Sequence, residues 1–460
     1  MLYFLLIISC LFSEPYDGLT LVSIDQATLL INNDNDTLNI WNHDQYPSSI
    51  CYMQKDSTLI CPLSDHQSGA VNSAGGKFIK YDWNSNILWE YDLPDSICLP
   101  HHDISLLPNG NILSICTEHK SQDEVINMGF IGEIDSVFGF DTIIELQPIG
   151  TNGAQIVWNW KSFDHLIQDV NPHFENYGIV SDHPELLNIN METDGNTTFD
   201  WLHLNAVSYN ESLNQIVVSS RFTNEFYVID HSTTTTESAS HQGGIYNKGG
   251  DILYRWGNPQ NYNRGTNADK ILGAQHGVDW IPSGYPGEGN LLLFNNQHLY
   301  YGGPANPNNK SAILEIEPPI DENGFYTIDD LQPFNPESPI IVYQNDFFSN
   351  FQSGAFRLPN GNSIITSTGE SQILEINQYE EIELSYNNYT TARAIKYQND
   401  YLTPNQMLGD INNDQIVNIL DVIVLVNIVL GNSAIVSSSD LNIDGVVNVL
   451  DVVFLVNLIL

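Results

Sequence analysis

The feature that most limits how this chain folds is a turn that recurs along it. Asn109-Gly110, Gly287-Glu288-Gly289-Asn290 and Asn360-Gly361 each lead into an apolar run. The runs are Ile112-Leu113-Ser114-Ile115, Leu291-Leu292-Leu293-Phe294 and Ser363-Ile364-Ile365. Asn214 precedes Gln215-Ile216-Val217-Val218, and Ser57-Thr58 precedes Leu59-Ile60-Cys61. A Gly- or Asn-centred turn between apolar runs is a hairpin signal, because those residues accept the positive φ of a tight β-turn. A second unit recurs ahead of the turns, a strand ending in aromatics, at 78–91, 154–160 and 250–256. Each repeat therefore reads as aromatic strand, loop, strand, turn, strand.

No long amphipathic helix interrupts the pattern between 15 and 402. Four-stranded repeats of this kind stack radially, so the expected fold is all-β, a six-bladed β-propeller over 15–402. About 390 residues over six repeats gives roughly 65 per blade, against ~40–45 in common propellers, and the excess falls in expected loops at 120–150, 163–200 and 232–249. An array of β-sandwiches is the alternative.

Charge narrows the partners. Asp plus Glu number 56 and Lys plus Arg 14, for a net charge of -42. Nucleic-acid binding rests on clustered cations, so it is excluded, and the anionic face of a membrane is disfavoured. Charged residues are only 15% and hydrophobic ones 42%, so the chain folds rather than forming an acidic disordered tail. If the substrate is an anion, its site must be built against this background.

Residues 1–13, MLYFLLIISCLFS, are too short to span a bilayer and fit a signal-peptide core, although the first basic residue is Lys55. The expectation is export to the periplasm, the cell surface or the medium. Ile7-Ile8-Ser9-Cys10 also fits a lipoprotein box, which would acylate Cys10. No other segment has the length of a transmembrane helix. Cys51, Cys61, Cys98 and Cys116 remain, an even number that suggests two disulfides in one of three pairings.

Residues 409–460 carry a duplication. Asp410, Asn412, Asp414, Asn418 and Asp421 place side-chain oxygens at positions 1, 3, 5, 9 and 12 of a loop. Asp440, Asn442, Asp444, Asn448 and Asp451 repeat that spacing thirty residues on. This is the ligand spacing of an EF-hand-type calcium loop, with Ile416 and Val446 offering the backbone carbonyl of position 7. Gly445 makes the sharp turn of the second loop, and Gln415 stands in its place in the first. Each loop runs into a single apolar segment readable as a helix. The two loop-plus-helix units resemble a type I dockerin, which implies structural calcium and a cohesin-like protein partner. No Lys or Arg follows Lys396, so without calcium the loop carboxylates are expected to repel one another and unfold the module.

The histidines complete the reading. His101 and His102, His203 and His276 each lie shortly before a recurring turn, and Gln352 and Ser353 hold that place in a later repeat. Matched positions in a propeller face one axis, so His102, His203 and His276 are expected in one central funnel. Arg221, one of five arginines, follows the strand after His203. Around these positions the segments 102–111, 200–207, 219–221, 275–280, 353–362 and 393–401 are similar to the arylsulfate sulfotransferase family.

That resemblance implies a six-bladed periplasmic enzyme that moves a sulfuryl group from an aryl sulfate donor to a phenolic acceptor through a sulfated histidine. It implies His276 as nucleophile, with His102, His203 and Arg221 binding sulfate and stabilising charge, and no cofactor for catalysis. The family's N-terminal β-sandwich is expected to be absent or vestigial here, and the dockerin-like tail is an addition. Asp103 and Asp279 are candidates for orienting imidazoles or for strand-end turns, and Trp201, Trp280 and Phe222 for an aryl slot or for core. Two other functions compete. One is a non-catalytic propeller that binds or scaffolds while anchored by its calcium tail. The other is aryl sulfate hydrolysis with water as acceptor.

Overall fold

The structure is a computed structural model. It describes residues 14–64, 75–195, 197–299, 309–345, 347–399, 401, 409, 411–412, 417–433, 439, 441 and 446–459. The expected signal segment 1–13 and Cys10 lie outside the described residues. Two compact units are present: one takes in the chain up to Tyr52 and Ile60–Tyr397, the other Met53–Leu59 and the chain from Gln398 on.

The first unit is a six-bladed β-propeller. From the innermost strand outward, blade 3 is Leu99–Leu106, Ile112–Lys120, Phe138–Ile149 and Gly153–Lys161. Blade 4 is Leu204–Asn210, Gln215–Ser220, Glu225–Asp230 and Ile252–Trp256. Blade 5 is His276–Trp280, Leu291–Leu299, Lys310–Ile316 and Ile340–Tyr343. Blade 6 is Gly354–Arg357, Ser363–Ser367, Gln372–Ile376 and Ile382–Asn387. Blade 2 takes Tyr46–Pro47, Leu59–Ser64, Lys77–Tyr81 and Ile87–Asp92 in the same sense. In blade 1 the late strand Ala394–Gln398 lies inside Gly18–Ile24, Ala27–Ile31 and Thr37–Asn42. The ring is thus closed by pairing a late strand with the earliest ones, which leaves no open edge between first and last blades.

The recurring turns join the innermost and second strands of blades 3, 4, 5 and 6. The aromatic strands at 154–160 and 250–256 are the outermost ones, and their tryptophans explain the repeat. The indole N–H of Trp41, in blade 1, donates to the Asp82 carbonyl of blade 2 at 2.8 Å. Trp89 donates to Gly153, Trp160 to Gly250 and Trp256 to Pro336, each reaching the next blade at 2.7–2.8 Å. Tyr386 of blade 6 closes the set on the Asn32 carbonyl of blade 1 at 2.8 Å. Each ring buries its apolar body between sheets and satisfies one polar atom on the neighbour, so an aromatic with a polar tip both packs and spaces the blades. The core is accordingly layered. Trp158, Trp160, Leu204 and Val218 pack between blades 3 and 4, and Trp256, Val278, Leu291 and Leu314 between blades 4 and 5.

One expectation is corrected. Residues 120–150 are not mainly loop: they hold the helix Gln122–Asn127 and the twelve-residue strand Phe138–Ile149. The apolar content of that strand, FGFDTIIELQPI, is used on both faces, so it lacks the alternation that marks a half-exposed strand. The cysteines pair as Cys51–Cys61 and Cys98–Cys116.

The second unit holds two helices, Ile419–Val429 and Val449–Ile459, thirty residues apart. Their shared core is Ile411, Leu425, Ile428, Leu441 and Leu455. Ile419, Leu420 and Ile423 are exposed on the first helix, and Val449, Leu450 and Val453 at the same places on the second.

Candidate active site

Every innermost strand runs in the same direction along the axis, so residues at the strand starts gather at one end. The chain is bent at that point in several blades. His102 and His203 have φ of 56° and 54°, and Gly277 and Ser353 have 66° and 81°. The register between inner and second strands slips at the same places: between Pro100 and Ile104 in blade 3, between Leu204 and Ala206 in blade 4, and between His276 and Asp279 in blade 5. Left-handed backbone at a histidine costs of order 1 kcal/mol, and its repetition in two blades marks a position where side-chain aim outweighs backbone comfort. Gly277 has a further reason to lack a side chain: a Cβ there would stand 3.0 Å from the Gly354 Cα.

His276 opens the inner strand of blade 5 and is buried. Its Nδ1 lies 2.9 Å from the Ala274 carbonyl oxygen and 2.9 Å from Asn296 Oδ1. Asn296 is itself fixed, because its amide nitrogen donates to the carbonyls of Ser349 at 2.9 Å and Gln352 at 3.0 Å. Both atoms facing Nδ1 are acceptors, so Nδ1 carries the hydrogen and Nε2 keeps its lone pair. Burial pushes the pKa of His276 down to about 3, and the nearby Arg221 charge pushes the same way. The ring is therefore a neutral imidazole with a defined nucleophilic nitrogen at ordinary pH.

His102 is buried within the inner strand of blade 3, and His203 stands just before that of blade 4. Their rings meet edge to face with centroids 4.7 Å apart. The His102 Nδ1 lies 2.8 Å from His101 Nδ1, and His101 Nε2 is 3.0 Å from the Asp141 carboxylate. With the His101 proton facing that carboxylate, His102 Nδ1–H donates to His101 and His102 Nε2 keeps its lone pair. Burial first, then the neighbouring histidines and Arg221, hold the His102 pKa well below its ordinary value. His203 Nδ1 donates to Asp200 at 2.5 Å. Burial alone would raise the Asp200 pKa, but the His203 hydrogen bond and nearby positive charge hold it below the usual carboxylate range.

Arg221 lies in the turn after Gln215–Ser220, with its backbone N–H donating to the His203 carbonyl at 3.1 Å. Its guanidinium sits 4.9 Å from the centre of the Phe222 ring and acts electrostatically on both His102 and His276. The structure thus brings His102, His203, His276 and Arg221 together. A cavity of about 610 Å³ opens beside them, lined by Arg221, Phe222, Lys270, Ala274, Gln297 and His298. Phe222 also packs on His203, with centroids 4.6 Å apart.

The sequence reading missed the residues that hold these rings. Asp103 orients no imidazole: its carboxylate pairs with Arg393 at 2.5 Å and accepts from Tyr52 Oη at 3.1 Å and the Val207 N–H at 3.1 Å. Asp279 accepts from Ser208 Oγ at 2.6 Å. Asp200, Asn296 and the His101–Asp141 pair orient the imidazoles instead. Asp200 is three residues from His203, close enough to have been suspected, whereas Asn296 reaches His276 across a strand pair and leaves no local signal. Trp201 packs on Phe138 and Phe140, and Trp280 lies in the core between blades 4 and 5. Of the three aromatics named for an aryl slot, Phe222 lines the cavity.

In the second unit, Asn412, Asn418, Asp421, Val446, Asn448 and Asp451 are described, while Asp410, Asp414, Ile416, Asp440, Asn442 and Asp444 lie outside the described residues. Asp421 is buried and accepts the backbone N–H groups of Ile411 at 2.8 Å, Asn412 at 3.1 Å and Asn418 at 2.9 Å. Asp451 repeats this with Leu441 and Asn448, both at 2.8 Å. Asn418 and Asn448 cap the helices through the Leu420 and Leu450 N–H groups, at 2.7 and 2.8 Å. Each position-12 carboxylate thus ties the start of its loop to its end. A buried carboxylate in an oxygen-rich loop with no Lys or Arg nearby in sequence fits a hard cation, and calcium there would supply the missing positive charge.

Comparison with known proteins places the chain in a family. The sequence pattern of the arylsulfotransferase (ASST) family matches residues 14–405, and that of the dockerin type I domain matches residues 408–460. Similar solved structures include a protein of unknown function from Bacteroides caccae, at 12% identity over 83% of this chain and 98% of that one, TM-score 0.45. Another is a catalytically inactive virginiamycin B lyase from Staphylococcus aureus with quinupristin, at 12% identity over 82% and 86%, TM-score 0.35. A third is the hydrazine synthase of Kuenenia stuttgartiensis, at 10% identity over 77% and 71%, TM-score 0.35. No curated protein matches the chain. Among the described residues no helix is long and apolar enough to cross a membrane. The chain belongs to the arylsulfotransferase family and carries a dockerin type I domain.

Proposed function

We propose that this chain transfers a sulfuryl group from an aryl sulfate to a phenolic acceptor through a sulfated His276. The observation that carries the reading is the His276 ring: Nδ1 is committed to two acceptors, which leaves Nε2 neutral and nucleophilic beside Arg221. In the first half-reaction the Nε2 lone pair forms a bond to sulfur as the ester S–O bond breaks. The electron pair leaves on the phenolate oxygen, which takes a proton. In the second, an acceptor phenol loses its proton, its oxygen bonds to sulfur, and the N–S pair returns to Nε2. Splitting the transfer this way needs no nucleotide donor.

Charge that spreads over the sulfuryl oxygens in each transition state is met by the planar fork of Arg221. His203, with Nδ1 anchored on Asp200, is suited to give and recover the phenol proton through Nε2. His102 faces His203 and completes the ring of polar groups that bind the sulfuryl group. Phe222 offers an aromatic wall to the aryl ring in the adjoining cavity. Calcium held by the two loops would order the dockerin domain, and its paired apolar helix faces are suited to a cohesin-like partner. The disulfide Cys98–Cys116, next to the strand of His102, suits an exported protein in an oxidising compartment.

The test is intact-mass measurement on protein incubated with an aryl sulfate, with and without a phenol. A sulfo adduct that disappears when phenol is added, and is absent in His276→Asn, is the expected result. Phenol release that ignores the acceptor would make the chain a hydrolase. Neither adduct nor release from folded, calcium-loaded protein would leave a binding module.

A further inference from the structure

Away from the axis, three distant segments meet at one carboxylate oxygen. His165 follows the short turn Ser162–Asp164, His241 lies in the 232–249 insertion, and Asp251 immediately precedes the outer strand of blade 4. Asp251 Oδ1 is 2.8 Å from His165 Nδ1 and 2.7 Å from His241 Nδ1. All three atoms lie within 4.8 Å of one another.

The protonation of His165 makes this meeting informative. Its ring is fully buried and stacked flat on Trp160, with centroids 5.5 Å apart and planes 3° from parallel. Its Nε2 lies 2.9 Å from the Ser238 carbonyl oxygen, which only accepts, so Nε2 carries a hydrogen. A neutral His165 then presents the lone pair of Nδ1 to a carboxylate oxygen. Two lone pairs cannot face each other at this distance without positive charge between them. Either an extra proton or a cation must sit there.

We propose that His165, His241 and Asp251 bind a divalent transition-metal ion of the zinc type. Two imidazole nitrogens and one carboxylate oxygen are the ligand types such ions prefer, whereas calcium prefers oxygen alone. The second nitrogen of His165 donates to a backbone carbonyl, which is how a metal-bound imidazole is usually oriented. Ligands ~2.0–2.1 Å from a tetrahedral ion stand roughly 3.3–3.4 Å apart, so the two N···O separations need to open by only about half an ångström. His241 can supply that movement, since its side chain is 59% exposed. It also lines an open cleft with His173 and His183, which gives the ion a path from solvent and leaves room for a water as fourth ligand. Bound there, the ion would fasten the 232–249 insertion to blade 4 and to the segment after blade 3.

The experiment uses the full chain with calcium in excess, so that the dockerin loops stay filled, and titrates zinc while following bound metal and thermal unfolding. One tightly bound zinc per chain and a zinc-dependent rise in the unfolding midpoint are expected. His241→Ala, an exposed change that should not impair folding, is expected to weaken zinc at least about tenfold, as loss of a ligand or its support does. His173→Ala, in the same cleft but outside the triad, is expected to leave the affinity unchanged. Asp251→Asn should abolish binding, and if it does not fold the two histidine variants decide. No zinc bound at micromolar levels, or equal affinity in wild type and His241→Ala, overturns the proposal and leaves a proton between His165 and Asp251.

Discussion

The propeller and the dockerin domain bury carboxylates by opposite means. In the propeller several deeply buried acids have a Lys or Arg of their own. Arg393 pairs with Asp103 at 2.5 Å, Arg255 with Glu225 at 2.5 Å and Lys396 with Glu375 at 2.7 Å. In the tail, Asp421 and Asp451 are equally buried but no Lys or Arg occurs after Lys396. Their described partners are backbone N–H groups of their own loops. One region carries its counter-charge in the sequence, and the other must take it from solution. The first should hold without added calcium, while the second is conditional on a cation.

Chelation is the strongest way to break that comparison. Hydrogen exchange on the full chain is expected to show near-complete loss of protection in Ile419–Val429 and Val449–Ile459 when calcium is removed. The inner strands of the propeller should stay protected, and aryl sulfate turnover should persist. If the two helices keep their protection in chelator, backbone hydrogen bonds alone suffice and the contrast fails.

The converse change removes a built-in cation. Arg393→Leu leaves Asp103 buried beside Tyr52 with nothing to balance it. Breaking one side of a buried pair costs about 3–5 kcal/mol, so a large fall in the propeller's unfolding midpoint is expected, while the calcium dependence of the tail is untouched. A fall below about 1 kcal/mol would mean that Asp103 is satisfied by its hydrogen bonds and that the pairing matters less than the burial suggests.

These two regions were also unequally legible in the sequence. The dockerin domain could be read directly, since its loop pattern sits within twelve residues and the spacing repeats. The blades could be counted because their hairpin turns and outer aromatics are local features. The histidine positions followed from the repeat, which maps equal places onto one axis. What escaped was every residue that acts across strands or blades. Asn296 reaches His276 from the neighbouring strand, and Arg393 reaches Asp103 from the closing blade. Asp103 itself stayed open between orienting an imidazole and closing a turn, because adjacency to His102 in sequence says nothing about where a bent strand aims its side chain. The long strand Phe138–Ile149 was hidden because burial on both faces erased its alternation.

Asn296 gives a finer test of how the propeller fixes one state without metal. Asn296→Ala removes an acceptor from His276 Nδ1 and leaves the Ala274 carbonyl as the remaining one. Misplacing or mispopulating the ring is expected to lower kcat by roughly 10–100-fold, with KM little changed. An effect confined to KM would make Asn296 a substrate contact rather than a positioning residue. The pKa of His276, near 3, adds a second readout: in NMR its ring signals should not titrate between pH 8 and 5. Because the folded value lies below the ~6.5 of an unfolded histidine, the unfolded chain takes up this proton first. Acidification below about 6.5 therefore costs the wild type stability that His276→Asn should retain in part.

The smallest effect bears on the net charge of -42. The tail's carboxylates are set aside for calcium, and all 14 Lys and Arg precede Gln398, many already committed to internal pairs. Arg221 and Lys270 face the cavity, but the far field around the molecule remains negative, so an anionic donor is repelled until it is within a few ångströms of the site. Raising ionic strength from ~10 to ~150 mM shortens the screening length from ~30 to ~8 Å, which hides the distant acids while leaving Arg221's direct contacts. The donor's kcat/KM is expected to rise about two- to fivefold, and that of a neutral phenol acceptor to stay flat. If salt slowed the donor instead, the local cations would dominate its approach. The propeller would then steer its substrate as well as bind it, and the division of charge between the two regions would matter at long range and not only within each core.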